Sequence, residues 1–212
     1  MIYELRIYTV KAGTVGEVAK NSGTVARSIR GDDYGKLEGY WITEIGPLDQ
    51  VVHLWSYKDL NERQRLRTEL GKNVRWTNEY LPLIRPHMLR QDIRLLNHVI
   101  GVNPPAKQGS NVYELRYYRT RPGGVKEWVG HFSEALPVRE KHSKIVGLWT
   151  GEAGQPNEVV HIWAYADLNA RAAARNAAIQ DPGWQAFLKK ATPLLDEMNS
   201  VIMLPAAHSP LK

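Results

Sequence analysis

Hydrophobic and polar residues alternate along several short stretches of the chain, and stretches with helical spacing of apolar residues separate them. In the stretch 51–57, His53, Trp55 and Tyr57 occupy every second position, with mainly apolar residues between them. A period of two is typical of a β-strand, here with one polar, aromatic face and one apolar face. Asp59 follows as a predicted helix N-cap, with Glu62 completing a capping box. The stretch therefore predicts a strand, a cap and a helix.

The same pattern occurs a second time, 108 residues further along the chain. The residues of the first copy that recur are Val51, Val52, His53, Trp55, Tyr57, Asp59, Leu60, Asn61 and Arg63. Their second copies are Val159, Val160, His161, Trp163, Tyr165, Asp167, Leu168, Asn169 and Arg171. An ungapped match that includes a histidine and a tryptophan predicts two halves of similar structure.

Each half predicts the element order strand, helix, strand, strand, helix, strand. The opening strands 2–10 and 112–120 each end before a glycine, Gly13 or Gly123, and an amphipathic helix follows. This order is the βαββαβ arrangement of a ferredoxin-like α+β unit. We predict one unit at residues 1–100, a linker at 101–111 and a second unit at 112–206. Because such a sheet has helices on one face only, we expect each unit to cover the open face of the other.

The strand alternation also predicts a candidate site. We expect the apolar face, with Leu5, Ile42, Val52 and Leu54, to contact the helices, so that the polar face lines a lumen between the two sheets. The residues predicted to bind a substrate there are Glu4, Arg6, Tyr8, Trp41, Trp55, Tyr57, Glu114, Arg116, Tyr118, Trp149, Trp163 and Tyr165. His53 and His161 lie on the same face and are the candidate catalytic acid–base residues. Rings with a few hydrogen-bonding groups are typical of a small-molecule site.

A second interpretation of the same residues is purely structural. The two sheets would close tightly, and the four tryptophans of the polar face would fill the space between them. Glu4–Arg6 and Glu114–Arg116 would then be structural ion pairs, because burying an unpaired charge costs several kcal/mol. The sequence leaves both interpretations open.

Composition excludes several kinds of function. The chain has no cysteine, which rules out disulfides, thiolate metal sites and a cysteine nucleophile. The net charge of +6 is spread over both halves without a basic tail, so we expect no binding to nucleic acid. The sequence has no His-Glu-x-x-His helix, phosphate loop or dinucleotide-binding motif, and we expect no metal and no cofactor. With no signal-peptide pattern and no apolar run of membrane length, we expect a cytoplasmic protein without membrane insertion.

These residues together resemble the NIPSNAP family. The resemblance rests on the opening Tyr3–Tyr8 and on Glu44, Gly46, His53, Trp55, Tyr57, Leu60, Arg63 and Trp76. The second half carries it at Tyr113–Tyr118 and at Glu152, Gly154, His161, Trp163, Tyr165, Leu168, Arg171 and Trp184. The resemblance implies a dimeric α+β barrel fold, here formed within one chain by two ferredoxin-like units that join their sheets. Related barrel families include cofactor-independent monooxygenases, which is a likeness of fold only.

Two functions follow as hypotheses. The first is a barrel that binds a small apolar or aromatic molecule in its lumen, with cofactor-independent oxidoreductase or isomerase activity. The second is a non-enzymatic protein-interaction module. A cavity lined by the candidate residues favours the first, whereas an exposed apolar patch favours the second. Association into a homodimer is a further expectation.

Overall fold

The structure is a computed structural model that describes residues 1–106, 109 and 111–212. The strands are β1 (Ile2–Val10), β2 (Lys36–Ile45), β3 (Gln50–Tyr57), β4 (Met88–Ile100), β5 (Val112–Thr120), β6 (Ile145–Ala153), β7 (Glu158–Tyr165) and β8 (Leu195–Pro205). The α-helices are α1 (Val15–Asn21), α2 (Arg27–Arg30), α3 (Leu60–Lys72), α4 (Leu81–Ile84), α5 (Val125–Arg139), α6 (Leu168–Gln180) and α7 (Pro182–Ala191). π-helical segments at Ser22–Ala26 and Trp76–Tyr80 precede α2 and α4, and 3₁₀ segments at Arg85–His87 and Thr192–Leu194 precede β4 and β8.

The strands form one closed antiparallel barrel in the order β1-β3-β2-β8-β5-β7-β6-β4. The two halves meet at two joints, where β2 pairs with β8 and β4 pairs with β6. Closure leaves no sheet edge in either half, which confirms the predicted intrachain α+β barrel. The boundaries 1–100 and 112–206 stay a prediction, and residues 107, 108 and 110 of the predicted linker 101–111 lie outside the described residues.

The capped helices follow strands β3 and β7 as the sequence predicts. Asp59 accepts a hydrogen bond from the Glu62 backbone N–H at 2.8 Å, and the Glu62 carboxylate accepts one from the Lys58 N–H at 2.6 Å. In the second half, Asp167 accepts from the Ala170 N–H at 2.7 Å. Each side chain satisfies a backbone donor that the first helical turn leaves free.

The structure reverses the predicted orientation of the strands. Leu5 pairs with Leu54 across β1 and β3, and both belong to the core inside the barrel. The neighbouring pair Arg6 and His53 lies on the outer face, beneath the helices. The residues wrongly predicted to line the lumen are Glu4, Arg6, Tyr8, His53, Trp55, Tyr57, Glu114, Arg116, Tyr118, His161, Trp163 and Tyr165. The interior of an eight-stranded barrel is only wide enough for packed side chains, and here aliphatic residues fill it together with the rings of Tyr3, Trp41, Tyr113 and Trp149. Burying Glu4 and Arg6 there would cost more free energy than burying Leu5, which takes the inward position.

Trp41 and Trp149 do lie inside the barrel, but not beside the predicted residues. Trp41 pairs with Val52 and therefore shares its inward face, whereas Ile42 lies on the helix side, contrary to the prediction. The Trp41 ring lies over Gly39, where an added Cβ would be 2.0 Å from the ring. Both tryptophans are fully buried, so they fill the middle of the barrel as the structural interpretation expected of them.

In the part of the chain that the structure describes, no helix combines the length and apolar character needed to cross a membrane.

Candidate functional site

Two cavities lie between the outer face of the barrel and the helices, one in each half. The first-half cavity has a volume of about 270 Å³ and the second-half cavity about 150 Å³. Matched residues of the two halves that line them are Arg6 and Arg116, Tyr8 and Tyr118, Arg30 and Arg139, His53 and His161, Trp55 and Trp163, Arg67 and Arg175, and Trp76 and Trp184. The structure thus brings eight of the fourteen predicted site residues to a cavity, although not to the lumen.

The other predicted site residues lie beside or behind these cavities. Glu4 and Glu114 are fully buried next to them, and Tyr57 and Tyr165 pack in the helix-side cores. Trp41 and Trp149 are on the opposite side of the sheet, inside the barrel. The role of every one of these residues in binding stays a prediction.

Glu114 anchors a cluster of arginines behind the second cavity. Its carboxylate accepts from Arg116, from Arg171 at 2.7 Å and from Ser200 at 2.7 Å, and Arg175 lies 3.9 Å away. Burial alone would raise the pKa of this carboxyl, but the Arg171 hydrogen bond and the Arg116 charge together lower it to about 2. The carboxylate is therefore ionised at neutral pH, and more than one arginine depends on it.

Glu4 occupies the same place in the first half. It accepts hydrogen bonds from Arg6 and Arg63, and Arg67 lies 3.7 Å away. Burial again opposes ionisation, but Arg6 and Arg67 lower the pKa of Glu4. Arg6 also donates to the Tyr8 oxygen and so links the carboxylate to the cavity wall. One buried negative charge thus holds three arginines, of which Arg6 and Arg67 line the cavity.

Both candidate histidines are neutral and accept a hydrogen bond at Nδ1. The indole N–H of Trp55 donates to His53 Nδ1 at 2.6 Å, and Trp163 donates to His161 Nδ1 at 2.7 Å. Because an indole only donates, Nδ1 must carry a lone pair and the proton of the neutral ring sits on Nε2. Burial, reinforced by neighbouring arginines, holds the pKa of both histidines well below the usual value. Each ring therefore carries its N–H at Nε2, and the acid–base role that the sequence predicts for the two histidines stays a prediction.

Sequence reasoning missed the arginines that the helices contribute. The Arg30 guanidinium lies 3.5 Å from the centre of the Trp55 ring, and Arg139 lies 4.4 Å from that of Trp163. Burial lowers the pKa of Arg30 to about 10, which leaves it charged at neutral pH. A signal for Arg67 was present in the sequence, since it follows Arg63 by one helical turn and this spacing recurs in the second half.

Three of the hydroxyl groups that line the first-half cavity have no counterpart at the second cavity. Tyr40 donates to Ser22 Oγ at 3.1 Å, and Ser22 and Tyr80 share a hydrogen bond of 2.9 Å. Burial raises the pKa of Tyr40 and brings that of Tyr80 to about 12, so both phenols are neutral. The C-terminal tail adds His208, whose ring centre lies 4.4 Å from that of Tyr40.

Aromatic rings occupy the corresponding region of the second half. Trp128 and Phe132 stack with ring centres 4.9 Å apart, and Phe187 lies 5.8 Å from Phe132. These rings also surround the imidazole, because Phe132 lies 5.7 Å and Trp128 5.9 Å from His161. His161 Nε2 is buried without a hydrogen-bond partner among the described residues. The second cavity is thus smaller because its own side chains fill it.

The charge that lines the first-half cavity is positive. Its lining includes Arg6, Arg27, Arg30, Arg67 and Arg85, and none of the described residues that line it is an aspartate or a glutamate. Trp55, Trp76 and Tyr80 supply ring surfaces. Such a cavity suits a flat ligand that carries negative charge. Elsewhere in the described part of the chain, no cluster of three or more His, Asp or Glu side chains is arranged to hold a metal ion.

Comparison with known proteins gives a consistent family. The family model described as NIPSNAP matches residues 3–99 and 113–210. The chain is 35% identical to Protein NipSnap homolog 2 of Homo sapiens and 34% identical to Protein NipSnap homolog 1 of Danio rerio, and the matches cover all of this chain and 75% and 77% of those proteins. A "putative monooxygenase" from Lactobacillus acidophilus NCFM superposes with a TM-score of 0.69, covering 100% of this chain and 98% of that one, at 11% identity. This last likeness shows the fold alone.

Proposed function

This chain belongs to the NIPSNAP family, and on that premise we propose that it binds a small aromatic anion in the cavity between the barrel and the helices of the first half. The proposal keeps the small aromatic ligand expected from the sequence but moves it from the lumen to the outer face of the sheet. The volume of about 270 Å³ is close to the lower end of the roughly 300–1,000 Å³ typical of ligand pockets.

The observation that carries the proposal is the cationic, aromatic lining. Among the lining arginines, Arg6 and Arg67 pair with Glu4, and Arg27 pairs with Asp32 at 2.8 Å. Arg30 and Arg85 also line the cavity and form no ion pair with a carboxylate of the described residues. Arginine binds carboxylates with two parallel hydrogen bonds and stacks on rings. A ligand with a ring and an anionic oxygen satisfies both requirements.

The structure also supports a proposal about reactivity. A neutral imidazole that presents Nε2–H can stabilise negative charge as it develops on a substrate oxygen, and the surrounding arginines reinforce this effect. We therefore assign His53 to oxyanion stabilisation in a cofactor-independent isomerase or oxidoreductase reaction. The alternative of a protein-interaction module, a homodimer and a cytoplasmic location all stay predictions.

The test is a comparison of a charged ligand with its neutral analogue. The probes are 2-naphthoate and 2-naphthamide, and binding is measured by calorimetry and by quenching of tryptophan fluorescence. We expect the acid to bind at least about tenfold more tightly, because charge-assisted hydrogen bonds contribute about 1.5–3 kcal/mol.

A matched pair of variants identifies the site. Arg67→Met removes a charge that lines the cavity and should weaken binding of 2-naphthoate about tenfold. Arg65→Met on the same helix removes an arginine that is paired with Glu69 on the exposed face and should leave affinity unchanged. Failure of 2-naphthoate to bind, or equal affinity for acid and amide, would refute the proposal.

A further inference from the structure

The two cavities differ in a coordinated way, and we infer that only the first-half cavity is a ligand site and that it selects an aromatic anion bearing a second, uncharged hydroxyl or carbonyl group. This inference rests on the proposed function and specifies the class of ligand. The second-half cavity is, in this view, a structural core.

The first argument comes from matched positions. Ser22 and Tyr40 in the first half correspond to Phe132 and Leu148 in the second, at the spacings that align the neighbouring elements. Tyr80 corresponds to Phe187 or Leu188, because the spacing between the halves decreases by one residue between Trp76 and Met88. All three polar positions of the first half are thus apolar in the second. Because the second half has the same strand order and similar helices with apolar residues at these places, the fold does not require the hydroxyls.

The second argument is the hydrogen-bonding capacity of the three hydroxyls. Ser22, Tyr40 and Tyr80 each have one O–H, and two hydrogen bonds connect the three groups. Two hydrogens are therefore used within the cluster, and a third remains, together with free acceptor lone pairs. All three side chains are buried, and all three line the cavity. A ligand hydroxyl or carbonyl that enters the cavity would satisfy this remaining capacity.

The third argument is the backbone of the first half. Ser22 begins one π-helical segment and Tyr80 ends the other. The corresponding segments of the second half belong to the α-helices α5 and α7. π-Helical turns are uncommon and frequently occur at functional sites. Here they are confined, within the described residues, to the two segments that carry Ser22 and Tyr80, whereas Tyr40 lies on β2.

The C-terminal tail completes the first cavity. Ala206 N–H donates to the Tyr40 carbonyl at 3.0 Å, and the Tyr40 N–H donates to Ser209 Oγ at 2.9 Å. These bonds hold His208 against the ring of Tyr40, at the cavity wall. His208 follows β8, and the residue at the corresponding place after β4 is Gly101. Gly101 has no side chain and does not line the second cavity.

The experiment compares 6-hydroxy-2-naphthoate with 2-naphthoate by calorimetry on the full chain. We expect the hydroxy acid to bind about tenfold more tightly, which is the contribution of one well-formed hydrogen bond. Tyr80→Phe should reduce this preference to about one while leaving affinity for 2-naphthoate nearly unchanged. Tyr118→Phe, a matched loss of a phenol at the second cavity, should preserve the preference.

A second pair of variants locates the ligand. Ser22→Phe copies the second-half residue into the first cavity and should abolish binding, whereas Leu188→Phe crowds the second cavity and should leave binding intact. Equal affinity for the two acids, a preference that survives Tyr80→Phe, or loss of binding only in Leu188→Phe would overturn the inference. If both acids bind equally and Arg67→Met weakens both, the proposed function stands and the inference fails. If neither acid binds, both fail.

Discussion

The buried carboxylate Glu114 allows a quantitative prediction for the variant Glu114→Gln. Glu114 has no exposed surface, and its pKa lies at about 2 against a reference value of 4.5. A difference of about 2.5 pKa units corresponds to roughly 3 kcal/mol of stabilisation at neutral pH. This agrees with the ~3–5 kcal/mol lost when one partner of a buried ion pair is removed. We therefore expect Glu114→Gln to lower the free energy of unfolding by about 3 kcal/mol at pH 7.

The pH dependence gives this prediction a second, independent measure. The folded-state pKa is depressed, so the stabilisation is complete above pH 4.5 and is lost as the pH falls towards 2. The difference between the parent and Glu114→Gln in urea unfolding should be largest at pH 7 and shrink at pH 3.5. Glu197→Gln, which breaks an exposed pair with Arg119, is the control and should cost less than about 1 kcal/mol. Equal urea midpoints for the parent and Glu114→Gln at pH 7 would refute the reasoning.

Three further predictions concern the histidines, the barrel glycines and the barrel core. The pKa values of His53 and His161 are lowered in the folded chain, so these side chains are protonated only in the unfolded chain as the pH falls below about 6.5. The free energy of unfolding in urea should therefore decrease by up to about 1.4 kcal/mol per pH unit for each histidine. A free energy of unfolding that stays constant from pH 7 to 5.5 would contradict this. Gly147→Ala places a Cβ 2.3 Å from the Trp149 ring and should cost about 1–3 kcal/mol by thermal unfolding, whereas Gly71→Ala, with open space around it on α3, should not destabilise the chain. Leu54→Asp buries an unpaired charge inside the barrel and should abolish the folded circular-dichroism spectrum, since its cost approaches a typical stability of ~5–15 kcal/mol; a cooperatively folded variant would show that this position is not sealed from water.

The elements of this fold could be predicted from the sequence because their causes are local. Alternation along β3 and β7 predicts strands, and Asp59 and Asp167 cap the helices that follow, as they do in the structure. The repeated residues also predict two halves of similar element order. Caps and periodicity depend on neighbours within a few positions of the chain, so they can be recognised without knowing the tertiary contacts.

The candidate residues could likewise be selected from the sequence, but their location could not. Both faces of β3 are buried, so the alternation shows that the strand has two different faces and not which of them points into the barrel. Closure of the barrel decided this, because its interior accepts Leu5, Val52 and Leu54 and leaves Arg6, His53 and Trp55 to the helix side.

The difference between the two cavities was decided only by tertiary structure. The residues that distinguish them, among them Ser22, Tyr80 and His208, lie on segments far apart in the chain and carry no motif. The helix packing and the path of the C-terminal tail bring them together, and the volume left between side chains depends on every contact around it. The sequence by itself therefore determined the elements, their order and a set of candidate residues, whereas the three-dimensional packing decided which face they share and which half has the larger cavity.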